Sequence, residues 1–94
     1  MVNRRRDRDF LAWAHRQGGP CCLCGAPFDE LHHFGSGGMA RKGSDHLVAR
    51  VCRSCHGRAR KRIAMVRDGD WETYALMLED AIGMLSDYHA GGTR

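Results

Sequence analysis

Two Cys-x-x-Cys pairs are the residues of this sequence best suited to bind a metal ion. Cys21 and Cys24 form the first pair, and Cys52 and Cys55 form the second. Zn²⁺ prefers four tetrahedral ligands, and two such pairs supply four thiolates. The spacing leaves Cys22 as the spare fifth cysteine, because Cys-x-Cys is the less usual bite, but it does not decide between Cys21 and Cys22. Structural zinc contributes about 10–16 kcal/mol of apparent binding free energy, which exceeds what a core this small can spare.

Three histidines near these pairs form a second candidate site. His32 and His33 end a predicted β segment, and His56 directly follows the last cysteine. A zinc ion would hold the two segments together, so His32 and His56 are expected to converge on a second ion. Imidazole binds transition metals well and also complements hydrated Mg²⁺. We interpret His15 and His89, on predicted helices, as ordinary surface residues.

Positive charge is concentrated next to the second cysteine pair. The formal net charge is +4, and the last third of the 94-residue chain is roughly neutral. Clustered basic charge favours a polyanionic partner, most simply nucleic acid, although a charge run alone also fits a solvated surface. The candidate nucleic-acid-binding residues are Arg58, Arg60, Lys61 and Arg62.

The elements that must position these residues follow from apolar spacing and from glycine and proline. Residues 4–17 predict a helix that Gly18, Gly19 and Pro20 end. Residues 20–31 predict a short hairpin, residues 47–51 a strand, and residues 53–66 a helix entered through the second cysteine pair. The intervening glycine-rich segment, 35–44, is predicted to be a loop.

A longer amphipathic helix is predicted at the C-terminal end. From Trp71 onward, apolar residues recur at spacings of three and four, which is typical of one helix face. The predicted face consists of Trp71, Tyr74, Ala75, Leu78, Ala81, Ile82, Leu85 and Tyr88. The sequence therefore predicts one α+β domain over residues 1–94, with an N-terminal helix in 1–19, a zinc-bound core in 20–66 and a C-terminal helix in 70–90.

The cellular setting also follows from composition. The first eight residues are charged, no apolar leader follows them, and no stretch approaches the roughly 20 apolar residues of a membrane span. We expect a cytoplasmic protein without membrane association or a small organic cofactor. Because disulfides are disfavoured in the cytosol, the cysteine pairs indicate metal binding, with redox chemistry as a weaker alternative.

The segment "HHFGSGGMARKGSDHLVARVCRSCH", residues 32–56, resembles the HNH (ββα-metal) endonucleases. Cys-x-x-Cys, His-His, a glycine-rich loop and Cys-x-x-Cys-His occur in that family's order, and the string is especially similar to phage-encoded HNH nucleases associated with recombination. The resemblance covers residues 21–62. It implies a treble-clef core with structural zinc, a separate catalytic divalent ion such as Mg²⁺ or Mn²⁺, and cleavage of DNA phosphodiesters.

The resemblance also implies residue roles. His32 and His56 match the ligands of the catalytic ion, and His33 matches the general base. The middle position, which helps to orient the base, falls on His46 or on Asp45. A third protein ligand for the ion is not evident. The alternatives are a non-catalytic treble-clef DNA-binding module and a zinc-stabilised adaptor that binds proteins through the C-terminal helix.

Overall fold

The computed structural model describes residues 6–35 and 44–91. These residues form three α-helices and one two-stranded antiparallel sheet, which confirms the predicted α+β class. In chain order the elements are α1 (Arg8–Gln17), β1 (Glu30–His33), β2 (Val48–Val51), a 3₁₀ turn (Arg53–Cys55), α2 (Arg62–Asp68) and α3 (Trp71–His89). Within those residues, no helix combines the length and apolarity needed to cross a membrane.

Helix α1 starts at Arg8 because Asp7 caps it. The Asp7 carboxylate accepts a hydrogen bond from the Phe10 N–H at 3.0 Å, which satisfies one of the unpaired donors of the first turn. The predicted start at residue 4 lies outside the described residues. Phe10 and Trp13 are buried against Tyr88 of α3, with ring centroids 5.3 and 5.2 Å away, so α1 packs on the C-terminal half of α3.

The two strands place the histidine pair next to a buried strand. His32 pairs with Ala49 and His33 with Val48 in the antiparallel register. The predicted hairpin within residues 20–31 is wrong in detail, because only an isolated bridge between Pro20 and Pro27 forms there and β1 pairs with β2. The chain between the two prolines is occupied by the turn that carries the first cysteine pair.

The predicted helix over residues 53–66 is broken into two pieces. After the 3₁₀ turn, Ala59 is buried, and Lys61 is extended with φ −77° and ψ 155°. The Arg62 N–H donates to the Phe34 carbonyl at 2.6 Å. Helix α2 therefore begins only where the chain is tied to the end of β1, since that bond removes the donor that a continuous helix would need.

Helix α3 buries a face that only partly matches the predicted one. Ala81 is buried, and Tyr74, Leu78, Leu85 and Tyr88 pack against the core as predicted. The buried residues of α3 are Thr73, Met77, Ala81 and Met84, whereas Trp71 and Ile82 are 59% and 60% exposed. The rotation follows from Asp80, whose side chain is almost fully buried and accepts from the Arg50 N–H at 2.9 Å and from the Arg50 guanidinium. This long-range ion pair fixes which side of α3 faces β2.

Arg50 also joins the end of α1 to this contact. Its Nη1 donates to the Gly18 carbonyl at 3.1 Å. The next residue, Gly19, has φ +129°, and a Cβ there would lie 2.1 Å from Arg50 Nη1. Only glycine fits this position without displacing the guanidinium. The end of α1, the end of β2 and the middle of α3 are therefore held around one arginine.

Candidate metal centre and histidine site

Four cysteine side chains meet beside the sheet. One potential ligand atom from each of Cys21, Cys24, Cys52 and Cys55 lies within 4.8 Å of the others, and the Cys24 and Cys52 sulfurs are 3.6 Å apart. Four thiolates around tetrahedral zinc, with Zn–S bonds of about 2.3 Å, have sulfurs roughly 3.8 Å apart. Among residues 6–35 and 44–91, these four cysteines are the group of potential metal ligands that lies close enough together to bind one ion.

The first cysteine pair is shaped by a tight turn. Gly25 adopts φ +86°, and its N–H donates to the Cys21 carbonyl at 2.9 Å, which reverses the chain directly after Cys24. The Leu23 N–H points at the Cys21 sulfur at 3.4 Å. Such amide donors stabilise a thiolate, which is the form of cysteine that binds a metal ion, so this turn favours metal binding.

The thiols differ in acidity. Burial raises the pKa of Cys21, but backbone hydrogen bonds from Leu23, Cys52 and Cys24 outweigh it and lower that pKa to about 6. Burial and hydrogen bonds to the other three sulfurs raise the pKa of Cys55 to about 12. Because zinc binds thiolates, loading the site releases the protons that remain, and zinc affinity falls in acid.

The fifth cysteine lies outside this group. Cys22 is half-buried against the core, and its N–H donates to the Arg50 carbonyl at 2.8 Å. Burial and the negative charge of Asp80 raise its pKa to about 12. The structure therefore brings together the four cysteines that the Cys-x-x-Cys spacing favours and leaves Cys22 as a protonated packing residue.

His32 and His56 lie on facing segments next to the cysteines. Their ring centroids are 6.3 Å apart with nearly perpendicular planes. Two imidazoles on one ion have centroids about 5 Å apart at tetrahedral or octahedral angles, so a shared ion requires the rings to close by roughly 1 Å. Burial lowers the pKa of His32, which keeps this imidazole neutral and able to act as a ligand.

A carboxylate not identified from the sequence joins this pair. Glu30 contacts Nδ1 of His56, and Glu30 and His32 share one face of β1 because they are two residues apart. A carboxylate that accepts the N–H of a histidine fixes its ring and leaves the other nitrogen free for a metal. The period of two along the predicted strand was the signal that could have identified Glu30.

His33 faces the other side of the strand and is held by Asp45. His33 Nε2 lies 2.9 Å from Asp45 Oδ1, and Asp45 is 4% exposed. The Asp7 N–H donates to the other Asp45 oxygen at 2.7 Å. Burial raises the pKa of Asp45, but the hydrogen bonds from Asp7 and His33 and the positive charge of Arg6 lower it below its ordinary value.

His46, the other candidate for the middle position, is directed elsewhere. Its Nε2 lies 2.8 Å from Asp7 Oδ2, and its ring packs edge-on against Phe10 with centroids 5.4 Å apart. Asp45 is thus the residue that contacts His33, while His46 ties the loop before β2 to the start of α1. The contribution of Asp7 could not be predicted, since Asp7 is 38 residues from Asp45 and 39 residues from His46 along the chain.

We expect Asp45→Asn to reduce thermal stability at neutral pH, and the deficit to shrink in acid. The folded pKa of Asp45 lies below its ordinary value, so its contribution is complete above that ordinary value and is lost as pH falls through the folded pKa. The cost at neutral pH should be about 1–3 kcal/mol, or about 5–15 °C in Tm. Melts of the variant and of wild type from pH 7 down to the lowest pH at which both keep one equivalent of zinc, with exposed Glu79→Gln as control, test this. A deficit that stays constant over that range would contradict it.

The predicted basic residues differ in availability. Arg58 and Arg62 are exposed and Lys61 is half-buried, all close to the histidines along the chain. Arg60 instead donates to Asp68 at 2.6 Å and lies 3.5 Å from Asp70. Its charge is largely compensated within the protein, so Arg60 is the weakest of the four candidates for a phosphate contact.

The described part of the glycine-rich loop is explained by packing. A Cβ on Gly35 would lie 2.5 Å from a Leu47 side-chain carbon, so the loop leaves β1 pressed against Leu47. Residues 36–43 of the predicted loop lie outside the described residues.

Comparisons with known proteins find sequence similarity to one longer protein. No family model and no solved structure matches the chain. The curated protein "Uncharacterized protein YdfU" of Escherichia coli (strain K12) is 40% identical over 61 residues, which cover 60% of this chain and 17% of that protein. The chain thus spans less than a fifth of the relative that it matches.

Proposed function

We propose that this protein is a metal-dependent DNA endonuclease of the HNH type, built on a treble-clef zinc core. The observation that carries the proposal is the state of three imidazoles. His32, His33 and His56 each have one ring nitrogen in contact with an oxygen of the protein. Carbonyl and carboxylate oxygens only accept, so that nitrogen carries a proton, and in the neutral imidazole the other nitrogen keeps its lone pair. The lone pairs then lie on Nδ1 of His32 and His33 and on Nε2 of His56.

His32 and His56 would hold the catalytic divalent ion. Two imidazoles with a carboxylate at the edge suit Mn²⁺, Zn²⁺ or a partly hydrated Mg²⁺. When bound, such an ion supplies Lewis-acid stabilisation of the charge on the phosphate. Glu30 keeps the His56 ring oriented, and the 61% exposure of the His56 side chain leaves room for a phosphate to approach.

His33 would act as the general base. Its Nδ1 lone pair takes the proton from the attacking water, while Nε2–H stays bonded to Asp45. Asp45 is ionised at neutral pH, so it stabilises the positive charge that develops on the imidazole and holds the ring in the productive tautomer. Since Asp7 and Arg6 also bind Asp45, the start of α1 supports this orientation.

Arg58, Lys61 and Arg62 would bind the phosphates that flank the scissile bond. Such contacts add affinity but read little sequence. We expect Arg58→Ala/Arg62→Ala to lower the slope of log affinity against log salt by about two, because each cation that leaves a phosphate contact removes about one. Fluorescence anisotropy on labelled DNA measures the slope, with exposed Arg16→Ala on α1 as the control. An unchanged slope would assign binding to another surface.

A nicking assay on supercoiled plasmid tests the function directly. Zinc-loaded protein with Mg²⁺ or Mn²⁺ should convert supercoiled DNA to open-circle or linear product, and EDTA should stop the reaction. The 6.3 Å separation of the His32 and His56 rings favours a second candidate, a non-catalytic DNA-binding module. Salt-sensitive DNA binding without cleavage under any of these ions would establish that second function instead.

A further inference from the structure

A cleft lies between the C-terminal half of α1 and the C-terminal half of α3. Its volume is about 570 Å³, which falls within the range of small-molecule sites. Trp13, Ala14 and Met84 line it and are buried, so its floor is apolar. We call this space the α1–α3 cleft. It contains none of the cysteines or histidines of the sites described above.

A glycine inside α3 keeps the cleft open. Gly83 is exposed and lies well within the 19-residue helix, where glycine is less stable than alanine. A Cβ at this position would have no atom within 4 Å, so packing does not require glycine here. Because Gly83 lines the cleft, a larger side chain would project into it. The glycine therefore weakens the helix and leaves room for a ligand.

Carboxylates lie on both sides of Gly83. Glu79 is one helical turn before it and Asp87 one turn after it, and both line the cleft. At 1.5 Å of rise per residue, they are about 12 Å apart along the helix axis. Both are exposed, and neither forms an ion pair with another residue that the structure describes.

The remaining charges of the cleft bind each other. The Arg50 guanidinium donates to Asp80 at 2.5 Å and to the Gly18 carbonyl at 3.1 Å. Three carboxylates against one guanidinium leave the cleft with two formal negative charges, although the chain as a whole carries +4. A nucleic acid or another anion is therefore disfavoured here, and a cation is favoured.

The spacing of the carboxylates and the apolar floor define the class of cation. A single metal ion does not fit, because within residues 6–35 and 44–91 the side chains close enough to share one ion are the four cysteines. A neutral apolar molecule would cover the carboxylates without replacing their contacts with water, which costs free energy. A methylene chain with a protonated amine at each end binds both carboxylates and covers the floor between them.

We propose that the α1–α3 cleft binds a small aliphatic polyamine, with one ammonium group at Glu79, the other at Asp87 and the chain passing over Gly83. Spermidine and 1,8-diaminooctane each have nine bonds between their terminal nitrogens, or about 11 Å when extended. This length matches the separation of about 12 Å between the two carboxylates along α3. The inference goes beyond the proposed nuclease activity and does not depend on it.

Titration of the zinc-loaded full chain with 1,8-diaminooctane or spermidine, at constant ionic strength, tests the proposal. The amide resonance of Gly18, which lines the cleft, should shift in a saturable way. Because exposed ion pairs are weak, we expect a Kd of about 0.1–1 mM. n-Butylamine, which carries one charge on a shorter chain, should bind at least about 10-fold more weakly.

Two variants locate the binding. Gly83→Leu fills the opening and Glu79→Gln/Asp87→Asn removes both charges, so each should weaken binding of the diamine by at least about 10-fold. Gly83→Leu should stay folded, because leucine is the better helix former and its Cβ meets no atom within 4 Å. The matched controls are Ala75→Leu and Glu72→Gln, at exposed positions of α3 outside the cleft. Both controls should bind as wild type does, and all variants should keep the wild-type circular dichroism spectrum.

Four results would overturn the proposal. Wild type that shows no saturable shift with either compound up to about 10 mM excludes the site. Folded Gly83→Leu that binds like wild type places the ligand elsewhere. n-Butylamine that binds as tightly as 1,8-diaminooctane contradicts a site with two charged ends. An arginine-rich peptide that shifts the Gly18 resonance when neither polyamine does would assign the cleft to a protein segment instead.

Discussion

Removal of zinc is expected to unfold the centre of the molecule. Cys21, Cys52 and Cys55 belong to the same core cluster as Phe34 and Met65, so an ion bound there would hold β2, the first turn and α2 together. Structural zinc contributes about 10–16 kcal/mol of apparent binding free energy, whereas whole domains are stable by about 5–15 kcal/mol. A strong chelator should therefore abolish the cooperative melt followed by circular dichroism. Re-addition of Zn²⁺ should restore it.

Two cysteine substitutions separate loss of metal from loss of packing. Cys24 is exposed but belongs to the ligand group, whereas Cys22 is half-buried and lies outside it. Cys24→Ser should lose tight zinc binding and the cooperative melt although it removes little buried surface. Cys22→Ser should keep one equivalent of zinc and cost no more than about 1–2 kcal/mol. The reverse ranking, or a chelated protein that melts like the loaded one, would show that the cysteine cluster does not support the fold.

The parts of the fold that the sequence predicts are those governed by local pattern. The two Cys-x-x-Cys pairs carry their own geometry, since each places two sulfurs on one ion. Gly25 supplies the turn that the first pair needs. The long C-terminal helix follows from its apolar spacing and from Asp70, which caps it by accepting from the Thr73 N–H.

The parts that the sequence could not give depend on single long-range contacts. The rotation of α3 is set by Asp80 and Arg50, 30 residues apart, and this contact turns Trp71 and Ile82 outward against the apolar pattern. Likewise, α2 starts late because its first N–H bonds to the carbonyl of Phe34. Intrinsic helix propensity does not predict such contacts, because tertiary hydrogen bonds and ion pairs override it.

The candidate site shows the same division. The histidines are visible as a spaced motif, but the choice between Asp45 and His46 depends on how the loop before β2 folds onto the start of α1. Asp45 contacts His33, and His46 contacts Asp7. Two adjacent residues of a turn can each point towards His33, and the sequence does not say which of them does. Only the folded structure distinguishes them.

His33→Ala should lower the DNA cleavage rate by about 10²–10⁴-fold, because it removes the group proposed to take the proton from water. Zinc content and DNA affinity should stay at wild-type values, since His33 is outside the cysteine group and outside the proposed phosphate contacts. Single-turnover cleavage of supercoiled plasmid at saturating protein measures this step apart from binding.

His46→Ala is the matched control for this prediction, because it removes the neighbouring candidate imidazole from the same loop region. His46 packs on Phe10 and bonds to Asp7, so its loss should lower Tm and leave the single-turnover rate within a few-fold of wild type at a temperature where the variant is folded. Equal rate losses in the two variants would mean that both histidines act through the fold. Wild-type turnover by His33→Ala would assign the base elsewhere and leave Asp45 with a purely structural role.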